Sequence, residues 1–170
     1  TPIVVIAGQV PIGVLGTDAF QEVDLVGVSQ PISKWSYQIR HAEDVAWAVS
    51  RAFYIARTGR PGPVVLDFAK NAQVEEIDYN PQKVNFIRSY VPYPKLNAES
   101  VRQAAELINS AKKPLALVGQ GVELGNAQAE LKAFLEKADI PAGRTMLGLS
   151  ALPSNHPLNV GMLGMHGNTS

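Results

Sequence analysis

Gly119-Gln120-Gly121 follows an apolar run, Leu115-Ala116-Leu117-Val118, and precedes a helical pattern. Glycines at a strand-to-helix turn let backbone N–H groups and a helix start approach a phosphate. The full dinucleotide fingerprint asks for a third glycine three residues on, where Leu124 stands. It also asks for an acidic residue at the end of the next strand, where Arg144, Thr145 and Met146 stand instead. The spacing alone supports a phosphate-bearing cofactor and a plain tight turn equally. Gly164-Met165-His166-Gly167 is the second candidate. Its glycines suit close backbone approach to a bulky group, and a methionine offers a soft surface to a flat ring. A lone loop histidine such as His166 is more often a hydrogen-bonded structural residue than a catalyst.

Two further groups lie in the first half. The loop from Gly8 to Glu22 follows an apolar run and carries Asp18, Gln21 and Glu22 close together. Ligands of parallel α/β sheets gather at that strand end. The plainer reading is a helix cap at Thr17 or Asp18, with Gln21 or Glu22 completing a capping box. Asp67 and Lys70 stand past another apolar run, after Arg60. They read as a weak surface ion pair or as a cationic rim for an anionic substrate. His41, His156 and His166 show no metal-ligand spacing, and no phosphate-binding P-loop or Ser-His-Asp set is recognisable.

The elements that must position these groups follow from periodicity. Ile3 to Ala7 is a continuous apolar run, read as a strand buried on both faces, and Val64 to Phe68, apolar but for Asp67, reads as another buried strand. Leu25 to Val28 reads as a short strand between them, and Ala19 to Glu22 as a short segment before it. Ala42 to Arg57 reads as a helix with Val45, Val49, Ala52, Phe53 and Ala56 on one stripe, stopped by Gly59. Residues 71 to 97 lose all period and are dense in proline, which predicts an extended linker with its tyrosines packed down. A second unit opens near Asn97 with a helix through Val101, Ala104, Ala105, Leu107 and Ile108. A strand over 115–118, a helix through Leu131, Phe134, Leu135 and Ala138, and a strand within Ile140 to Thr145 follow, then a loop-rich tail with one short helix. The fold class is α/β: parallel sheets flanked by helices, as parts of two three-layer domains.

Composition narrows the classes. With 46% hydrophobic and 18% charged residues the chain can bury a core. Its 15 basic and 15 acidic residues leave no basic stripe, so nucleic acid is not the expected partner. The absence of cysteine excludes thiolate metal sites, disulfides and a cysteine nucleophile, and fits a reducing cytoplasm. No apolar run approaches the roughly 20 residues of a membrane span. The chain enters a strand almost at Thr1 and stops beside a glycine-rich turn at Ser170, so it reads as an excerpt of a longer polypeptide.

Taken together, several motifs resemble the acetohydroxyacid (acetolactate) synthase catalytic subunits. They are Gly8-Gln9-Val10-Pro11, Gly16-Thr17-Asp18-Ala19-Phe20-Gln21-Glu22, Arg60-Pro61-Gly62-Pro63-Val64 with Asp67 and Lys70, and Lys112-Lys113-Pro114 with Val118-Gly119-Gln120-Gly121. Thr145-Met146-Leu147-Gly148-Leu149 and Met162-Leu163-Gly164-Met165-His166-Gly167 complete the series, in family order. The chain departs from the family pattern at Ile12-Gly13, Trp35, Ala69, Asn71 and Gln120. The resemblance implies residues 1–75 as the later part of a pyrimidine-binding domain, 76–96 as a linker, and 97–170 as the opening of a central FAD-binding domain. It implies an enzyme that decarboxylates pyruvate on thiamine diphosphate and joins the two-carbon unit to a second pyruvate or to 2-ketobutyrate, in branched-chain amino-acid biosynthesis. Its cofactors would be thiamine diphosphate, Mg2+ and FAD, and its partners further copies of itself and a small regulatory subunit.

By position, the resemblance places Phe20, Gln21 and Lys70 at the substrate channel. It places Arg60, Gly119, Gly121, Thr145, Met146, Leu147, Leu163, Gly164, Met165 and His166 around FAD. The family's catalytic glutamate and its Gly-Asp-Gly metal motif are not in this stretch, so the isolated chain is expected to be inactive and to bind none of the cofactors. Other readings are a pyruvate oxidase or glyoxylate carboligase type of enzyme, and a non-catalytic nucleotide-binding module.

Overall fold

The computed structural model describes residues 1–167, which divide into two compact units, one from Thr1 to Lys95 and one from Leu96 onward. In the first unit β1 (Val4–Gln9), α1 (Leu25–Ser29), β2 (Trp35–Ile39), α2 (Val45–Arg57) and β3 (Val64–Ala69) follow in that order. The sheet order is β1-β3-β2, and both pairings are parallel. β3 is central, and its Val-Val-Leu-Asp-Phe-Ala run is almost wholly buried, as expected of a strand apolar at every position but Asp67. The first run differs from expectation. β1 is an edge strand, and Val5 and Ile6 are exposed.

Leu25 to Val28 is helix, not strand. The Asp24 carboxylate accepts from the Gly27 N–H at 2.9 Å and caps it, a local bond that outweighs the β preference of two valines. The strand that pairs with β3 is instead Trp35–Ile39. No helix forms over Ala19 to Glu22.

Helix α2 lays Ala48, Ala52, Ile55 and Ala56 on Ile39, Val64 and Leu66. Three alanines on that face let helix and sheet approach closely. Phe53, placed on the buried stripe by periodicity, is exposed. Lys34 donates from Nζ to the Ile55 and Thr58 carbonyls, so a cation closes the C-terminal end of α2 where the helix dipole is negative. The Arg51 guanidinium stacks 5.1 Å from Trp35 and 5.2 Å from Trp47, beside Tyr37, which fastens the helix to the other edge strand. From 76 to 96 there is no helix or strand. Ile87 and Tyr90 pack on the first core, whereas Tyr79 and Tyr93 stay exposed, contrary to the expectation that all the tyrosines pack down.

The second unit holds α3 (Ala98–Ser110), β4 (Ala116–Val118), α4 (Gly121–Leu124), α5 (Gln128–Ala138), β5 (Ala142–Arg144) and β6 (Asn159–Met162). The strands run parallel in the order β4-β5-β6. β6 was hidden from sequence by its glycine and its weak apolar pattern. The core joins Val118, Leu135, Ile140, Ala142, Ala151 and Leu152. Asn97 caps α3, accepting from the Glu99 and Ser100 N–H groups. Ile108 reaches the core, but Val101 and Leu107 are exposed. On α5, Leu135 is buried and Phe134 is not.

Candidate functional site

In the first unit the strand ends gather the Gly8–Glu22 loop and the turn after β3, joined where the Ile12 N–H donates to Asn71 Oδ1 at 3.2 Å. Phe20 is 90% exposed, and Gln21 and Lys70 are exposed on the same end of the sheet. Asp18 and Gln21 both adopt left-handed backbone, φ 57° and 67°. Non-glycine residues held there cost about 1–3 kcal/mol each and collect in functional loops.

Glu22 holds this turn. Its carboxylate accepts the Gly16 N–H and, at 3.0 Å, the Ala19 N–H, while Thr17 Oγ1 donates to the Val14 carbonyl at 2.7 Å. The Gly16 N–H, then that of Ala19, hold the Glu22 carboxyl below the ordinary carboxylate range. The expected cap at Thr17 or Asp18 is replaced by this closure. Without a helix to cap, the acidic side chain serves the turn's own N–H groups.

Asp67 overturns the surface ion pair. It is buried within β3, and its Oδ2 accepts from Gln38 Nε2 at 2.7 Å and Gln9 Nε2 at 3.2 Å. Gln9 Nε2 also donates to the Val23 carbonyl at 2.7 Å, and Arg40 Nε donates to Gln38 Oε1 at 2.8 Å. A buried carboxylate thus ties the end of the 10–23 loop to the sheet. Lys70 is left free of it. Arg60 and Lys70 cannot form one rim, since they lie at opposite ends of six-residue β3, roughly 20 Å apart at 3.3 Å per residue.

Gln9, Glu22, Asp24, Gln38, Arg40 and Asp44 line a cavity of about 640 Å³. Phe20, Gln21 and Lys70 are outside its wall. Among the described residues no group of three His, Asp or Glu is placed to hold a metal ion.

The second unit brings its candidates together. Parallel pairing puts the ends of β4, β5 and β6 on one edge, and each end opens into a predicted motif: Gly119 and Gly121, Thr145 to Leu147, and Leu163 to His166. The Thr145 N–H donates to the Val118 carbonyl at 2.9 Å and the Leu163 N–H to the Arg144 carbonyl at 2.8 Å. A Cβ added at Gly148 would stand 2.5 Å from the Val118 carbonyl oxygen, so only glycine lets the turn after β5 close on Gly119. Leu163 lies flat over Gly143, where an added Cβ would meet its Cδ1 at 2.3 Å. Gly121 and Gly164 have open space where a side chain would go, and Gly164 has φ 120°. Met146, Leu147 and Met165 are exposed along this edge, Met165 by 95%. Soft apolar side chains beside side-chain-free glycines form a surface that suits a flat ring carrying a phosphate tail.

The chain matches the family model described as thiamine pyrophosphate enzyme, central domain, over residues 101–170. It is 46% identical over 168 residues to the acetolactate synthase isozyme 1 large subunit of Escherichia coli (strain K12), covering 98% of this chain and 29% of that protein. It is 43% identical over 170 residues to the acetolactate synthase large subunit of Corynebacterium glutamicum, covering 99% of this chain and 27% of that one. Along nearly its whole length the chain is similar to acetolactate synthase large subunits, and its second unit to the central domain of thiamine pyrophosphate enzymes. An X-ray structure from Mycobacterium smegmatis, assigned to the thiamin diphosphate-dependent enzymes, matches with a TM-score of 0.78 and 30% identity, over 97% of this chain and 31% of that one. The chain therefore spans a little under a third of the length of these relatives. The fold of that structure agrees with the α/β class, and this chain has two parallel sheets with helices packed on them.

Sequence reasoning missed the Gln9–Asp67–Gln38 linkage, the closure by Glu22 and the buried Arg144. An aspartate inside an otherwise apolar strand was the available signal for the first, because a buried carboxylate must find donors. Among the described residues no helix is long and apolar enough to cross a membrane.

Proposed function

We propose that this chain is a stretch of a cytoplasmic acetolactate synthase large subunit. Such an enzyme decarboxylates pyruvate and joins the remaining two carbons to a second pyruvate or to 2-ketobutyrate. The observation that carries the reading is identity of 43–46% to acetolactate synthase large subunits across nearly the whole chain. Residues 1–75 then belong to the pyrimidine-binding domain, 76–96 to a linker and 97–170 to the central domain. Thiamine diphosphate, when bound, supplies the carbon centre at which decarboxylation and joining occur. Mg2+ would be held by residues other than these. The parent works as a homo-oligomer with a small regulatory subunit.

The chain's own residues have separate tasks. Lys70, an exposed point charge at the end of β3, draws in an anionic keto acid. Gln21, neutral and both donor and acceptor, orients it. Phe20 supplies an apolar wall beside them. FAD would lie along the β4-β5-β6 edge, with Gly119 and Gly121 toward its phosphates. Thr145, Met146, Leu147, Leu163, Gly164, Met165 and His166 would lie along its rings.

Steady-state kinetics of two variants of the full-length protein test the assignment. Lys70→Ala should mainly raise the pyruvate KM, with a defect that shrinks as salt screens the wild-type attraction. Gln21→Ala should lower kcat by roughly tenfold to a hundredfold, the worth of one oriented hydrogen bond, with little salt dependence. Wild-type constants for both would make these residues structural.

A further inference from the structure

Arg144 ends β5 with its side chain 95% buried, and it makes no ion pair with any described residue. Its Nη1 donates to the Leu149 carbonyl at 2.5 Å and to the Leu152 carbonyl at 2.8 Å. Both acceptors belong to the short 3-10 turn Met146–Ala151 and the residue after it. Burying a guanidinium among neutral carbonyls is costly, and its Nε is buried without a partner. A charged residue kept under those conditions indicates that the position of the turn matters more than the stability given up to hold it.

The same turn is held from two other sides. Gly148 is pressed on the end of β4, and Ser150 Oγ hydrogen-bonds the Glu123 carboxylate of α4. Met146 and Leu147, held at the turn's start, project outward, both more than 60% exposed.

We propose that Arg144 is a positioning residue for FAD. It fixes the turn from below, so that Met146 and Leu147 meet the flavin already in place rather than being ordered by it. Fixing a contact surface before binding removes the ordering cost from the binding step. This rests on the reading of the β4-β5-β6 edge as the FAD edge.

The test is FAD titration of the full-length apoprotein by flavin fluorescence, at a temperature where every variant is folded, with the visible flavin spectrum recorded at saturation. Arg144→Met should raise the FAD dissociation constant about tenfold or more and alter the flavin bands. Arg144→Lys, which keeps a buried donor, should fall between it and wild type, and it carries the test if the methionine variant does not fold. Ile55→Ala, which opens the core of the first unit, should lower Tm with little change in FAD affinity. Wild-type affinity in both Arg144 variants, or equal loss in Ile55→Ala at a matched Tm, would overturn the inference and leave Arg144 a stabilising residue only. A wild-type protein that binds no FAD would overturn the reading of the edge itself.

Discussion

Replacing Asp67 separates what its charge does from what its oxygen does. Oδ2 accepts from Gln38 at 2.7 Å and from Gln9 at 3.2 Å, while Oδ1 is buried with no partner. Asp67→Ala removes the acceptor and strands two amide donors, one of them buried with Gln9. A hydrogen bond to a charged group is worth about 1.5–3 kcal/mol, and an abandoned buried donor costs about 1–3 kcal/mol. Relief from desolvating an unpaired carboxylate offsets part of this, leaving a net loss on the order of 2–3 kcal/mol. Asp67→Asn behaves differently. Its carbonyl oxygen can accept both bonds, and its NH2 takes the place of an oxygen that already lacks a partner. The number of unsatisfied atoms is unchanged and the uncompensated charge is gone, so the expected loss is below about 1 kcal/mol. Urea unfolding of both variants in the full-length protein, following the transition that reports this unit, measures the difference. Equal damage from Asn and Ala would refute the reasoning, because it would mean that the negative charge itself is required.

Two other perturbations follow from the geometry. Gly148→Ala places a Cβ 2.5 Å from the Val118 carbonyl oxygen and 2.9 Å from Gly119 Cα, which are backbone atoms that cannot rotate away. A thermal melt should show a loss of about 1–3 kcal/mol, and flavin titration a weaker site. Glu22 and Glu75 are both held below the ordinary carboxylate range, the first mainly by the Gly16 N–H and the second by the Ala42 N–H. Their lowered folded values mean that the stability they contribute is present above the ordinary carboxylate pKa and is lost as pH falls through the folded ones. Glu22→Gln should therefore flatten the fall in urea midpoint between neutral pH and pH about 4, and an unchanged acid dependence would count against the closure.

The α/β class was legible because β3 and β4 are short strands, apolar but for Asp67 and each preceded by a proline turn, and α2 and α5 keep a helical period. Failures occurred where a local bond or an edge position decided the outcome. Leu25-Val26-Gly27-Val28 looks like strand, but the Asp24 carboxylate makes it helix. Val5 and Ile6 look buried by composition, and only the sheet order puts them on an edge. Trp35–Ile39 was overlooked because its serine and glutamine dilute the apolar signal of a strand with one polar-lined face. The glycine-rich turns of the second unit were readable as motifs, and parallel pairing explains why motifs tens of residues apart reach one edge. Arg144 and Asp67 were not readable in their roles, since their partners are carbonyls and amides that nothing in a local pattern marks.

The central claim is that this chain serves a thiamine-diphosphate enzyme that makes acetolactate. The most direct measurement is formation of acetolactate from pyruvate by the full-length protein, purified from a host lacking its own synthase, with each cofactor omitted in turn. Turnover is expected to need thiamine diphosphate and a divalent cation, and to be lost on removal of FAD although the flavin undergoes no net reduction. Turnover of pyruvate to acetate with net consumption of oxygen, or no acetolactate with all three cofactors present, would contradict it.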